Sequence, residues 1–129
     1  MLRVLVVEDD QDTAATSAML LRLNGHDVNV ALDGPSALQA AQANAPDVVL
    51  LDVAMPKMDG WSVATQIREP RNGKRPLIIA ISGFGTEAAQ RRSQEAGIDL
   101  HLVKPVDPLQ LEDLLKRFRR IVGDGDESA

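Results

Sequence analysis

The chain has no cysteine and no tyrosine. Without thiols it can form neither disulfides nor thiolate metal centres. One Trp and two Phe are too few aromatics to build a platform on which bases could stack. Positive charge is also short: 14 Lys and Arg stand against 19 Asp and Glu, for a net charge of −5. Nucleic acid is therefore not expected as a partner, since phosphate binding needs a cationic surface. No apolar run approaches the roughly 20 residues that span a bilayer. The opening MLRVLVVEDD has the pattern of neither a secretory signal nor a transit peptide. A cytoplasmic location without direct membrane contact is expected. No GxxxxGK[ST] segment supports a nucleotide hydrolase.

What is present suits one soluble domain. The 129 residues are 44% hydrophobic and 26% charged, enough for a proper core. Val4–Val7, Val48–Leu51 and Leu77–Ile81 are short, continuous apolar runs, as strands buried on both faces require. Asp27-Val28-Asn29-Val30 alternates, which suits an edge strand, and His101-Leu102-Val103 forms a fifth run that stops at Lys104-Pro105. Helical segments are expected near 12–24, over 35–44 after a Gly34 cap, over 59–69 and over 86–96. The last helix opens on Asp107-Pro108 and carries Leu111, Leu114, Leu115, Phe118 and Val122 on one face. Lys116, Arg117, Arg119 and Arg120 read as its solvated face. The βαβαβαβαβα order predicts an α/β, doubly wound parallel sheet over residues 1–122. Residues 69–75 read as a polar loop and 123–129 as a disordered acidic tail.

In such sheets ligands bind beyond the carboxyl ends of the strands. There the first run delivers Glu8-Asp9-Asp10, the third Asp52, the fourth Ser82 and the fifth Lys104. Clustered carboxylates repel one another unless a cation lies among them. A hard divalent ion such as Mg²⁺ suits them, taking oxygen ligands at ~2.0–2.1 Å and keeping waters that a phosphoryl oxygen can replace. A carboxylate can act as nucleophile toward phosphorus. Lys104 and Ser82 would supply a positive charge and a hydroxyl donor to the arriving oxygens.

Four segments, each at a strand end, resemble the receiver domains of two-component response regulators. They are Val6-Val7-Glu8-Asp9, Leu51–Gly60 (LDVAMPKMDG), Ile81-Ser82-Gly83 and Leu102-Val103-Lys104-Pro105. The resemblance implies a five-stranded, flavodoxin-like receiver fold in the order 2-1-3-4-5 with five helices. It implies Asp52 as phosphoacceptor. Mg²⁺ (or Mn²⁺) would be bound by Asp9, Asp52 and the Ala54 backbone carbonyl, with Glu8 acting through water. Ser82 and Lys104 would contact the phosphoryl group, and the Lys104–Pro105 bond would be cis. The donor would be phosphohistidine on a histidine kinase or a histidine phosphotransfer protein. Ser82 would bias a surface made of the fourth helix, fifth strand and fifth helix toward a downstream protein target. The domain would be a monomer or a phosphorylation-dependent dimer, and would not be a turnover enzyme.

Three positions depart from the commoner receiver pattern. His101 stands where Tyr or Phe often serves as the switch, and reads either as a structural strand residue or as the reporter itself. Ala54 cannot orient a hydrolytic water, and Phe84 would shield the site. Slow self-dephosphorylation is therefore expected, with a shorter phospho-Asp52 lifetime in Ala54→Asn.

Rival readings fit less well. A flavodoxin-type flavin site would be repelled by Glu8-Asp9-Asp10, and a haloacid-dehalogenase-type phosphatase needs an acid where Ala54 stands. A phosphorylation-independent receiver-like binding module stays as the alternative. Residues 80–107 look most like receivers attached to hybrid histidine kinases, which pass phosphate onward; a stand-alone regulator and an excised receiver both fit the sequence.

Overall fold

The computed structural model of the chain describes residues 2–53, 59–68, 75–83 and 86–128, with side chains up to Arg120. Ten elements alternate strictly: β1 (Arg3–Val7), α1 (Gln11–Leu23), β2 (Asp27–Ala31), α2 (Gly34–Asn44), β3 (Val48–Asp52), α3 (Gly60–Arg68), β4 (Leu77–Ser82), α4 (Glu87–Glu95), β5 (Leu100–Val103) and α5 (Pro108–Ser128). The sheet is parallel throughout, in the order β2-β1-β3-β4-β5. That is the α/β, doubly wound arrangement the sequence predicts. The alternating run 27–30 forms the edge strand β2, with Asp27 and Val30 exposed.

Two apolar layers sandwich the sheet. On one face Leu5, Val7, Val49, Leu51, Ile78 and Ala80 pack with α2 and α3 through Ala37, Val63 and Ala64. On the other, Val4, Val6, Val48, Leu50 and Ile79 meet Ala18 and Leu21 of α1 and Leu115 of α5. This two-sided burial explains why the central strands read as unbroken apolar runs. Of the apolar stripe expected on α5, Leu115 is buried and Leu111, Leu114 and Phe118 are half-buried, while Lys116, Arg117, Arg119 and Arg120 are exposed. Val122 lies beyond the described side chains.

The helices begin where acceptors wait for their unpaired N–H groups. Asp10 accepts from Thr13 N at 3.0 Å, Asp59 from Trp61 N at 3.0 Å, and Asp107 from Leu109 N at 2.9 Å. The α2 cap is Asp33, which accepts from Ser36 N at 2.8 Å, and not Gly34. The carboxylate offers the acceptor that glycine lacks. At its other end α5 continues to Ser128. No proline interrupts residues 109–128. Among the described residues, no helix is long and apolar enough to cross a membrane.

Candidate functional site at the strand ends

Strand register brings the chemistry together. Val7 pairs with Leu51, Asp52 with Ile81, and Ser82 with Val103, so β1, β3, β4 and β5 end at one rim. Backbone bonds lace that rim: Glu8 N to Ala31 O at 3.0 Å, Val53 N to Ile81 O at 3.2 Å, and Lys104 N to Ser82 O at 2.7 Å. The Lys104–Pro105 bond is cis.

Carboxylate oxygens of Glu8, Asp9 and Asp52 lie within 4.8 Å of one another. Glu8 and Asp52 are buried, at 7% and 8% exposure, while Asp9 faces solvent. Burial, then the Asp52 charge and the hydrogen bonds with Asp9 and Asp52, outweigh a bond from Asp10 N and push the Glu8 carboxyl up to about 7. Asp10 takes no part in the cluster. Its side chain caps α1, accepting from both Thr13 N and Thr13 Oγ1, which hold its carboxyl below the usual range. The run of three acids is thus divided between site and helix cap.

Lys104 Nζ sits 3.0 Å from Asp52 Oδ2 and 3.8 Å from Glu8 Oε1. Burial opposes its charge, but the bond to Asp52 and the charges of Asp52, Glu8 and Asp9 together raise its pKa. These groups open into a largely apolar cleft of about 760 Å³ between α1 and α5. Ser82 is fully buried next to them. His101 is half-buried and places Nε2 3.0 Å from Ser82 Oγ and Nδ1 2.8 Å from Ser93 Oγ. Ala54 and Phe84, singled out from the sequence, lie outside the described residues.

The site depends on one close approach. A Cβ on Gly60 would meet Val53 Cα at 2.5 Å and Asp52 O at 3.1 Å, so only glycine lets α3 start against the end of β3. Two participants are not legible in the sequence. Ser93 on α4 and Trp61 on α3 meet at 3.0 Å, and Arg92 stacks over the Trp61 ring at 4.2 Å while pairing with Asp59 at 3.2 Å. Trp61 reads in the sequence as an ordinary apolar helix residue and Ser93 as a polar one, and the folded chain alone joins them.

The arrangement is matched by known proteins. A family profile described as the response regulator receiver domain matches residues 4–116. The chain is 34% identical over 115 residues to an uncharacterized 14.6 kDa protein of the sodA1 3' region in Leptolyngbya boryana, covering 89% of this chain and 88% of that one. It is 39% identical over 120 residues to the transcriptional regulatory protein PrrA of Mycobacterium tuberculosis, covering 93% of this chain and 49% of that protein. It therefore spans about half the length of that relative. Among solved structures, the chemotaxis protein CheY4 of Vibrio cholerae superposes with a TM-score of 0.84 at 30% identity, over 92% of this chain and 98% of that one.

Proposed function

This chain belongs to the response regulator receiver domain family of two-component systems, and from that membership we propose that Asp52 accepts a phosphoryl group from phosphohistidine on a histidine kinase or a histidine phosphotransfer protein. One observation carries the reading: Lys104 Nζ stands 3.0 Å from Asp52 Oδ2, beside the Glu8–Asp9–Asp52 cluster. A carboxylate so arranged has an ammonium ready to neutralise incoming phosphoryl oxygens. In the transfer, an Asp52 oxygen forms the new P–O bond while the P–N bond to the donor imidazole breaks. The electron pair of the broken bond stays on the imidazole nitrogen. Little covalent work falls to the protein, whose contribution is alignment and charge neutralisation.

The donor set fits a hard divalent cation, Mg²⁺ or Mn²⁺. Three carboxylates crowd together, two of them buried, and a cation would relieve their repulsion. Glu8, Asp9 and Asp52 would hold the ion, with the Ala54 carbonyl as the further ligand the family resemblance implies. When bound it would neutralise charge on the phosphoryl oxygens. Ser82 would donate to one of those oxygens, and Lys104 would pair with another. Readout would pass through the surface of α4, β5 and α5 to a downstream protein or onward in a phosphorelay. The only chemistry proposed is the domain's own phosphorylation and dephosphorylation.

Incubation with Mg²⁺ and fresh acetyl phosphate, followed by intact-mass measurement, tests this. One phosphoryl adduct, absent from Asp52→Asn, is expected. No adduct, or one that survives the substitution, overturns the proposal and leaves a phosphorylation-independent binding module.

A further inference from the structure

Beyond the rim, four polar side chains from four elements form a continuous file. Trp61 Nε1 lies 3.0 Å from Ser93 Oγ, Ser93 Oγ lies 2.8 Å from His101 Nδ1, and His101 Nε2 lies 3.0 Å from Ser82 Oγ. Ser93 is 1% exposed and Ser82 is 0% exposed, so solvent satisfies neither hydroxyl.

The donors in this file can be assigned by elimination. The indole N–H only donates, so Ser93 Oγ accepts from Trp61. Ser93 still has one proton to place. Its sole remaining hydrogen-bond partner among the described residues is His101 Nδ1. A buried hydroxyl proton left unpaired is costly, so Ser93 donates to Nδ1. A neutral imidazole that accepts at Nδ1 carries its proton on Nε2, and therefore donates to Ser82 Oγ. Ser82 is an acceptor toward His101 and keeps its own proton for a different direction.

We infer that Trp61, Ser93 and His101 form a one-way hydrogen-bond relay that presets Ser82 as a donor toward the phosphoryl site, with Trp61 and Ser93 as positioning residues. The inference rests on the phosphoacceptor reading of Asp52. It differs from a simple swing of His101 between outward and inward positions, because both ring nitrogens are already engaged inside the protein. Donation from Ser82 to a phosphoryl oxygen would not require the His101 bond to break; it would polarise it, and the effect would travel along the file. At the far end the relay reaches Trp61, whose ring lies under Arg92 and whose backbone N–H is held by Asp59. The face of α3 and α4 that carries Asp59, Trp61 and Arg92 thus senses the site.

Two measurements test the relay. The first uses the unaltered chain in alkaline buffer, reading the imidazole tautomer by ¹⁵N NMR, with the His101 resonances identified by their loss in His101→Gln. The Nε2–H tautomer is expected; the Nδ1–H tautomer reverses the file and overturns the inference. The second adds Mg²⁺ and beryllofluoride as a phosphoryl mimic, counts bound mimic by ¹⁹F NMR, and follows the emission of Trp61, the only tryptophan in the chain. The emission should change in the unaltered chain, and by about tenfold less in Ser93→Ala at equal occupancy. An equal response in both, or none in the unaltered chain with mimic bound, overturns the relay. A mimic that does not bind at all counts against the phosphoacceptor reading, and the tautomer still decides the direction of the file.

Discussion

Lys104, just past the end of β5, places its Nζ 3.0 Å from Asp52 Oδ2 at the end of β3. Removing that ammonium takes a positive charge away from three neighbouring carboxylates. Lys104→Ala should slow acetyl phosphate labelling of Asp52 by about 10- to 100-fold, since a charge aimed at the transferring group is lost. Folding stability should change by less than about 1 kcal/mol, because the lysine is partly solvated. Labelling rates and urea melts on the same preparations separate the two effects.

Glu8 makes metal-free stability fall with rising pH. Burial and the neighbouring acids raise its folded pKa from the ordinary carboxylate range to about 7. Its stabilising contribution is complete below the unfolded value and is lost as pH climbs through the folded one. Without metal, the protein should lose roughly 2–3 kcal/mol between pH ~5 and ~8. Mg²⁺ affinity should rise over the same window, because the ion requires the carboxylate form. Asp10 and Asp33 are shifted down by their cap bonds, so they act in the opposite sense and only at lower pH. Urea melts with and without Mg²⁺ test this; a metal-free slope unchanged in Glu8→Gln would exclude Glu8 as its source.

Gly60 and Gly25 should respond to alanine for different reasons. At Gly60 the new Cβ meets Val53 Cα at 2.5 Å, a backbone atom that cannot move aside alone. A loss of about 2–3 kcal/mol is expected, with slower labelling as the end of β3 shifts. Gly25 has open space, but its φ is +88°, so alanine there should cost about 1–2 kcal/mol and leave labelling untouched. Equal labelling rates in the two variants would contradict the distinction.

Arg68 at the C-terminus of α3 donates to Gly97 O at 2.9 Å and Pro76 O at 2.6 Å, and also bonds Asp99. Asp99 in turn accepts from Ile78 N at 2.8 Å. Arg68→Ala should destabilise by about 2–3 kcal/mol by leaving several acceptors unpaired. Arg68→Lys should recover only part of that loss, because an ammonium lacks the planar fork. Full recovery in chemical melts would show that charge alone matters.

Much of this molecule can be read from the chain because its signals are local. Val48–Leu51 is apolar at every position, since both faces of β3 are covered, and Asp52 stands out where that run ends. The same contrast marks Ser82 and Lys104. Long-range polar contacts leave no such trace. Trp61 and Ser93 lie 32 residues apart, and Arg68 and Asp99 lie 31 apart. Each looks unexceptional among its neighbours, because the docking of α3 and α4 on the sheet creates the pairing. The α2 cap falls on Asp33 and not on Gly34 for a related reason: a Gly-Pro start is a general preference, whereas Asp33 supplies an actual acceptor. Nothing beside His101 in the chain announces the two serines that its ring nitrogens meet, 19 and 8 residues away.

Alternation along the strands has a further consequence. Val48, Leu50 and Asp52 share one side of β3, as do Val4, Val6 and Glu8 on β1, the side packed by α1 and α5. Ile78, Ala80 and Ser82 share the opposite side of β4, and His101 falls there too, between Leu100 and Leu102 of the α1–α5 side. Asp52 and the Ser82–His101 pair thus have opposite parity. An influence passing from one to the other must go over the strand tips, since the packed middle of the sheet separates the two compartments. Methyl deletions at Val49 or Ile79 should therefore weaken the protein without uncoupling Trp61 from Asp52, while a one-residue insertion into β3 would swap the compartments and silence the site.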